Sequence, residues 1–192
     1  MRLGRHILLL TLFIGLCNAL LAQRTSEYTN ATTLFEHAKM LYLKKQYVPA
    51  IQEFNQFLDS KPGPNFDYEA RAYIALSRLK LDKNRSSSHL AQLMRNEPEH
   101  KLNNELALEL GFYYFNKKKY RRALKYLENI KDNEVTKEQK EELIFKKGYS
   151  YFKNKEYPKA KSEFHKIMNG NGKYAVEANY YYGYQCYILN DY

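Results

Sequence analysis

Apolar and polar positions follow a helical period along most of the chain. Between residues 104 and 130, one helix face carries apolar or small residues at the i, i+3, i+4 and i+7 positions: Ala107, Leu110, Gly111 and Tyr114. The polar turn NKKKY follows, and Ala123, Leu127 and Ile130 then continue the spacing on a second helix face. The pattern therefore predicts two amphipathic helices joined by a short turn.

This pair of helices is repeated along the chain. Small residues recur at intervals of 37, 36, 37 and 35 residues, at Ala38, Ala75, Gly111, Gly148 and Gly183. In three repeats a tyrosine follows nine residues later and an alanine twelve residues later: Tyr47 and Ala50, Tyr120 and Ala123, Tyr157 and Ala160. Two helices of about fourteen residues with a short turn form an antiparallel hairpin that fits this period. A glycine inside a helix costs up to about 1 kcal/mol relative to alanine, so Gly111 indicates a place where two helices cross closely.

The spacing resembles the tetratricopeptide repeat (TPR), whose pattern is W-x2-L-G-x2-Y, then A-x3-F, then P. The third repeat matches it with Leu110-Gly111, Tyr114, Ala123 and Leu127, and has Ala107 in the tryptophan position. The resemblance covers residues 31–192, with repeats near 31–64, 68–100, 104–137 and 141–172 and a partial fifth at 176–192. It implies an all-α, right-handed α-solenoid of about four and a half helix hairpins.

Several positions depart from the pattern. His37 and Lys147 occupy the leucine position, and we expect His37 to be a buried core histidine. The second repeat lacks the alanine, and its Ser86-Ser87-Ser88 run predicts an N-cap cluster with a shortened second helix.

The last residues, YYYGYQCYILNDY (180–192), match a first helix and turn without a second helix. Tyr182, Gly183 and Cys186 are then expected on the face that the second helix would cover. We interpret this as a chain cut short within a longer array, since repeat arrays need polar capping elements. The alternative is an end helix that packs on a partner or on a second copy.

The N-terminus predicts export. Arg2, Arg5 and His6 precede the apolar run ILLLTLFIGL, and Ala22 offers a small residue for a peptidase. We expect a signal peptide at 1–22, a short lead at 23–30, and a location in the periplasm or at the outer-membrane periphery. An uncleaved anchor is the alternative. Removal of Cys17 leaves Cys186 alone, which excludes an internal disulfide framework.

Charge favours acidic partners. The chain carries a net charge of +10, and its signal segment holds two Arg and no Asp or Glu, which leaves 29 − 21 = +8. Acidic proteins, acidic glycans or peripheral contact with an anionic membrane fit this balance. Nucleic acid is disfavoured because it is hard to reach outside the cytoplasm. Basic runs at Lys44-Lys45, 117–119 and 153–155 fall in the turns between paired helices. They either line up as a basic ridge along one edge of the array or are simply solvated turns.

Catalytic motifs are not found. The sequence contains no H-E-x-x-H, CxxC, G-x-S-x-G or Gly-rich phosphate loop, and the histidines His37, His89, His100 and His165 fall in different places. Glu141 and Glu142 are expected on solvated helix faces. We therefore predict no enzyme, cofactor or metal.

The strongest candidate site is a partner-binding groove on the concave side, which the TPR resemblance assigns to the first helix of each hairpin. The residues that would point there are Phe35, Lys39, Tyr42, Phe112, Phe115, Phe145, Tyr149, Phe152, Tyr180, Tyr184 and Tyr187. Aromatic rings suit burial of a peptide segment, although neighbouring helices could instead bury the rings. The hypothesis is a non-enzymatic cell-envelope scaffold that binds an extended peptide or partner helix. A glycan-binding (peptidoglycan) module and the N-terminal array of a longer protein are the alternatives.

Overall fold

The computed structural model describes residues 31–61, 63–82, 85–130 and 133–190, and every regular element in these ranges is an α-helix. The predicted signal peptide and lead (1–30) lie outside the described residues. The chain divides into two compact units, Met1–Lys83 and Asn84–Tyr192. The predicted all-α class is confirmed, and the division falls inside the second predicted repeat.

The first unit contains α1 (31–43), α2 (Tyr47–Asp59) and α3 (Pro64–Lys80). Pro64 starts α3, at a position where its missing N–H costs the helix nothing. Aromatic rings fill the core: Phe54 of α2 stacks on Tyr73 of α3 with centroids 5.4 Å apart. The small residues Ala38 and Ala50 are completely buried, as the predicted close packing of α1 and α2 requires.

The second unit contains α4 (Ser86–Asn96), α5 (Asn103–Asn116), α6 (Tyr120–Leu127), α7 (Lys137–Lys153), α8 (Tyr157–His165) and α9 (Ala175–Leu189). Each helix from α4 to α9 packs against the next one. One core cluster joins α6, α7, α8 and α9 through Leu124, Tyr151, Ala160, Phe164 and Ala178. The hairpins predicted from residues 104–172 are therefore present.

The repeated glycines lie where a second helix crosses the first. A Cβ atom at Gly111 would overlap the side chain of Leu127, and one at Gly148 would lie 3.0 Å from Cε1 of Phe164. Nothing lies within 4 Å of the corresponding point at Gly183. The predicted uncovered face of α9 is thus open at Gly183, while Tyr182 and Cys186 are half-buried.

The turn that follows each first helix has a common backbone geometry. Seven residues after each small residue the backbone is left-handed: Lys45 (φ 61°), Asp82 (51°), Lys118 (58°), Lys155 (64°) and Asn190 (51°). Left-handed backbone is strained for most L-residues, and none of these five is glycine. The same turn therefore recurs at every repeat without the residue type that usually marks it.

The predicted N-cap cluster at Ser86–Ser88 is wrong. The helix begins at Ser86 after Arg85, whose backbone is left-handed (φ 62°), and no side chain caps it. The Ser88 hydroxyl instead donates to the Arg85 carbonyl at 2.8 Å. At 11 residues α4 is shorter than α2, which has 13, but longer than α6 and α8, which have 8 and 9.

His37 is not a buried core histidine. Its side chain is 50% exposed and its Nδ1 lies 2.6 Å from Oε2 of Glu53. The equivalent residues of the next three repeats, Ile74, Leu110 and Lys147, are buried. His37 thus meets its carboxylate partner at the surface, where the Glu53 side chain is 25% exposed.

The paired carboxylates of α7 also depart from expectation, because neither is simply solvated. Glu141 accepts hydrogen bonds from the backbone N–H groups of Lys173 (3.1 Å) and Tyr174 (2.9 Å), and so holds the loop before α9. Glu142 lies 2.6 Å from Nζ of the buried Lys146. Both carboxylates therefore have structural roles.

Candidate binding surface

The three predicted groove residues of the first unit are mostly part of its core. Phe35 is 1% exposed and contacts Phe54 and Tyr73, with centroids 5.6 and 6.4 Å from its own. Tyr42 is also buried against Tyr73. Lys39 is half-buried with Nζ 5.9 Å from the Tyr73 centroid. Little aromatic surface is left there for a partner.

In the second unit, most of the predicted residues lie in a continuous row of half-exposed rings from α5, α6, α7 and α9. We call this row the aromatic face. It comprises Phe112, Phe115, Tyr120, Phe145, Tyr149, Phe152, Tyr181 and Tyr184.

Tyr149 is the centre of the aromatic face. Its ring centroid lies 5.7 Å from that of Phe115, 5.6 Å from Tyr120 and 5.2 Å from Tyr181, each in an edge-to-face arrangement. Such pairs add about 0.5–1.5 kcal/mol to the effect of burial alone. The rings of four helices therefore support one another.

Two tyrosine hydroxyls of this cluster, those of Tyr120 and Tyr181, have raised pKa values. Burial, with the neighbouring Tyr149, raises the pKa of Tyr181 to about 12. Burial and Tyr149 also raise the pKa of Tyr120, although Lys153 opposes this shift. The hydroxyls of Tyr120 and Tyr181 are each hydrogen-bonded to Tyr149. They can donate or accept hydrogen bonds, but they are not nucleophiles.

Two lysines lie against the rings. Lys146 is buried, with Nζ 4.0 Å from the Phe112 centroid and 5.3 Å from that of Phe115. Lys153 is exposed, with Nζ 5.2 Å from the Tyr149 centroid and 5.6 Å from that of Phe152. Cations at such distances are attracted to aromatic rings. Lys153 is the one that a partner could reach.

The tyrosines of α9 are the most accessible of the predicted residues. Tyr180 is 68% exposed, Tyr184 44% and Tyr187 67%. Tyr184 packs edge-on against Phe152 and Tyr180 against Tyr181. Tyr187 is outside the aromatic face, because no ring of the described residues contacts it.

Sequence reasoning missed Tyr120 and Tyr181. Tyr181 lies two residues before the small residue of its repeat, where Tyr73 and Lys146 also lie. Tyr73 stacks on Phe54 and Tyr181 on Phe164, and both partners belong to the preceding hairpin. The signal that could have identified Tyr181 is a large residue two positions before the small residue of the repeat. A large side chain there contacts the preceding hairpin.

Two open cavities of the second unit are lined by none of these rings. One of about 560 Å³ is lined by Asn104, Glu105, Leu108, Asn133, Glu134, Val135, Thr136 and Gln139. Another of about 350 Å³ is lined by Arg121, Leu124, Lys125, Glu128, Asn154 and Glu156.

Among the described residues, no three His, Cys, Asp or Glu side chains are grouped to hold a metal ion. Within that same part of the chain, no helix has both the length and the apolar composition needed to span a membrane.

Comparison with known proteins supports the fold. No protein-family model matches the chain, and no curated protein sequence matches it. The chain is similar to the solved structure "MamA D159K mutant 1", with a TM-score of 0.58, 16% identity, and coverage of 88% of this chain and 91% of that one. MamA is a TPR-type protein, so the likeness extends the TPR-like fold over most of the chain. At this identity it concerns the fold alone.

Proposed function

We propose that this chain is a non-enzymatic interaction scaffold that binds a protein partner, as an extended peptide or a helix, on the aromatic face. The observation that carries the proposal is the continuous row of incompletely covered rings from four helices. Tyrosine and phenylalanine offer large contact areas at a low cost in side-chain entropy, and they dominate many protein interfaces. A TPR-like fold is also consistent with protein partners.

Site-specific photo-crosslinking in cells tests this proposal. A photoreactive phenylalanine analogue would replace Tyr184 or Phe115 on the aromatic face, and Gln92, an exposed residue of α4, would serve as the control position. We expect discrete protein adducts at 184 and 115, and none at 92. Adducts that are equally frequent at all three positions would contradict the proposal.

A glycan-binding function is the second candidate, and the exposed rings of Tyr180 and Tyr187 favour it, since aromatic rings can stack on sugars. Purified peptidoglycan sacculi would be mixed with the chain and sedimented. Retention that is lost in a Tyr180→Ala/Tyr187→Ala variant would support this function. Without retention by intact sacculi, only the protein partner stands.

We place this scaffold in the cell envelope, at the periplasm or the outer-membrane periphery. The support is the N-terminal sequence, with its charged start, apolar run and small residue at Ala22.

A further inference from the structure

Basic residues gather at one end of the aromatic face. Lys117–Lys119 form the turn after α5, and Lys153 and Lys155 lie at the turn after α7. Contacts near both ends align the two helices: Asn104 donates to Glu134 at 2.9 Å, and Phe115 meets Tyr149. Both turns therefore lie on the same side of the second unit.

A tyrosine joins each basic turn to the rings. Tyr120 follows the first turn and contacts Phe115 and Tyr149, with centroids 5.7 and 5.6 Å apart. Tyr157 follows the second turn and contacts Phe152 at 6.1 Å. The lysines are thus continuous with the aromatic surface.

The positive charge there is not cancelled locally. The C-termini of α5 and α7 together contribute about one negative charge, against the three lysines Lys119, Lys153 and Lys155. Glu156 follows Lys155 in the sequence, but its Oε2 lies 2.7 Å from Nζ of Lys159, with which it forms an ion pair. No carboxylate of the described residues forms an ion pair with Lys119, Lys153 or Lys155.

We propose, resting on the scaffold function above, that the aromatic face binds an extended protein segment with an acidic residue two positions from a large apolar one. Nζ of Lys153 lies 5.2 and 5.6 Å from the centroids of Tyr149 and Phe152. Side chains two positions apart in an extended strand point the same way and are about 6.6 Å apart. An acidic side chain at Lys153 therefore places its apolar neighbour on these rings.

The rings favour a peptide over a nucleic acid. Phe115, Tyr120 and Tyr181 meet the Tyr149 ring at 66°, 65° and 83°. These edge-on rings break up the surface around Tyr149, which therefore offers no broad flat platform on which successive bases could stack. The surface offers shallow apolar contacts beside cations, which suits alternating acidic and apolar side chains.

Selection of displayed random peptides on the immobilised full chain tests the proposal. Peptides of about twelve residues would span about 40 Å when extended. We expect enrichment of Asp or Glu two positions from Phe, Leu, Ile or Tyr. A resynthesised winner should bind about tenfold more weakly to Lys119→Gln/Lys153→Gln/Lys155→Gln, since each exposed charge contributes a factor of about two to five. Its affinity should also fall between about 0.05 and 0.5 M salt.

Lys137→Gln is the control for one of these three charges, because it removes a single lysine from the first residue of α7, whose last residue is Lys153. We expect it to leave affinity unchanged. Neutral or basic winners whose binding requires Tyr184 would overturn this inference and leave the scaffold function standing. If the selection enriches no sequence at all, that result would contradict both this inference and the scaffold function. Equally tight binding of a single-stranded oligonucleotide of matched charge, with the same loss in the triple variant, would replace the peptide by general polyanion binding.

Discussion

Polar residues in the leucine position are matched by an acidic residue on the following helix. Lys147 pairs with Glu163 at 3.3 Å, and His37 pairs with Glu53, which is also 16 residues further on. In the third repeat the same two positions hold Leu110 and Tyr126. The exchange of leucine for a polar residue is therefore compensated within the hairpin.

This compensation makes a testable prediction at Glu163. The Lys147 and Glu163 side chains are 8% and 11% exposed, and removal of one member of a buried pair leaves an uncompensated charge. We expect Glu163→Ala to lower the free energy of unfolding by about 3 kcal/mol. The double variant Lys147→Leu/Glu163→Tyr, which copies the third repeat, should lie within about 1 kcal/mol of the parent. Urea unfolding measures both. Equal losses in the two variants would refute the compensation.

Tyr181 predicts a loss of stability at alkaline pH. Its pKa is raised from 10.0 to about 12 in the folded chain, first by burial and then by Tyr149. Above pH 10 the unfolded chain releases this proton more readily than the folded chain does. The stabilisation is therefore complete below about pH 10 and is lost between about pH 10 and 12.

The Tyr181→Phe variant isolates this contribution. Its urea midpoint should fall less than that of the parent between about pH 9 and 11.5. Tyr180→Phe, on the adjacent exposed ring, should keep most of the parent's fall, because Tyr180 contributes less to the raised pKa of Tyr181 than burial and Tyr149 do. If the slopes of all three coincide, Tyr181 does not carry the effect.

At the scale of helices, much of the fold could be read from the sequence, because the hairpins follow from where side chains must be small. Gly111 and Gly148 marked the two crossings that Leu127 and Phe164 fill. The start of α7 also had a readable signal, since Thr136 and Gln139 form a capping box. The left-handed turns had none, because lysine at 45, 118 and 155 resembles a solvated charge. The backbone there is closed by local helix-end hydrogen bonds, such as that from the N–H of Gln46 to the carbonyl of Leu41 at 2.9 Å.

The glycines predict opposite effects of one substitution. Gly111→Ala forces a methyl group against Leu127, which is completely buried, and should cost about 1–3 kcal/mol. Gly183→Ala enters open space within α9 and should stabilise by up to about 1 kcal/mol through helix propensity. Thermal or urea unfolding of both variants provides the comparison. Destabilisation by Gly183→Ala would mean that a helix covers this face.

At the scale of the whole chain, the candidate site was only partly predictable. The repeat period assigns equivalent positions to Phe35, Phe145 and Tyr180, yet the first is in a core, the second half-buried and the third exposed. Burial depends on which helices follow and how large their residues are, and Tyr73 covers Phe35 in the first unit. Position in the repeat thus gives the direction of a side chain, while its neighbours determine whether a partner can touch it.

Export is the prediction that concerns the entire chain. Cleavage after Ala22 would remove two arginines, leave Gln23 first and give the mature protein a net charge of +8, from 29 − 21. When the full sequence is expressed in a Gram-negative host, intact mass spectrometry of the periplasmic fraction should show a species that begins at Gln23. Ala22→Tyr should block processing, because signal peptidases need a small residue there. Recovery of a species with Met1 or Arg2 first, in the cytoplasm alone, would contradict the envelope location while leaving the aromatic face as a binding surface.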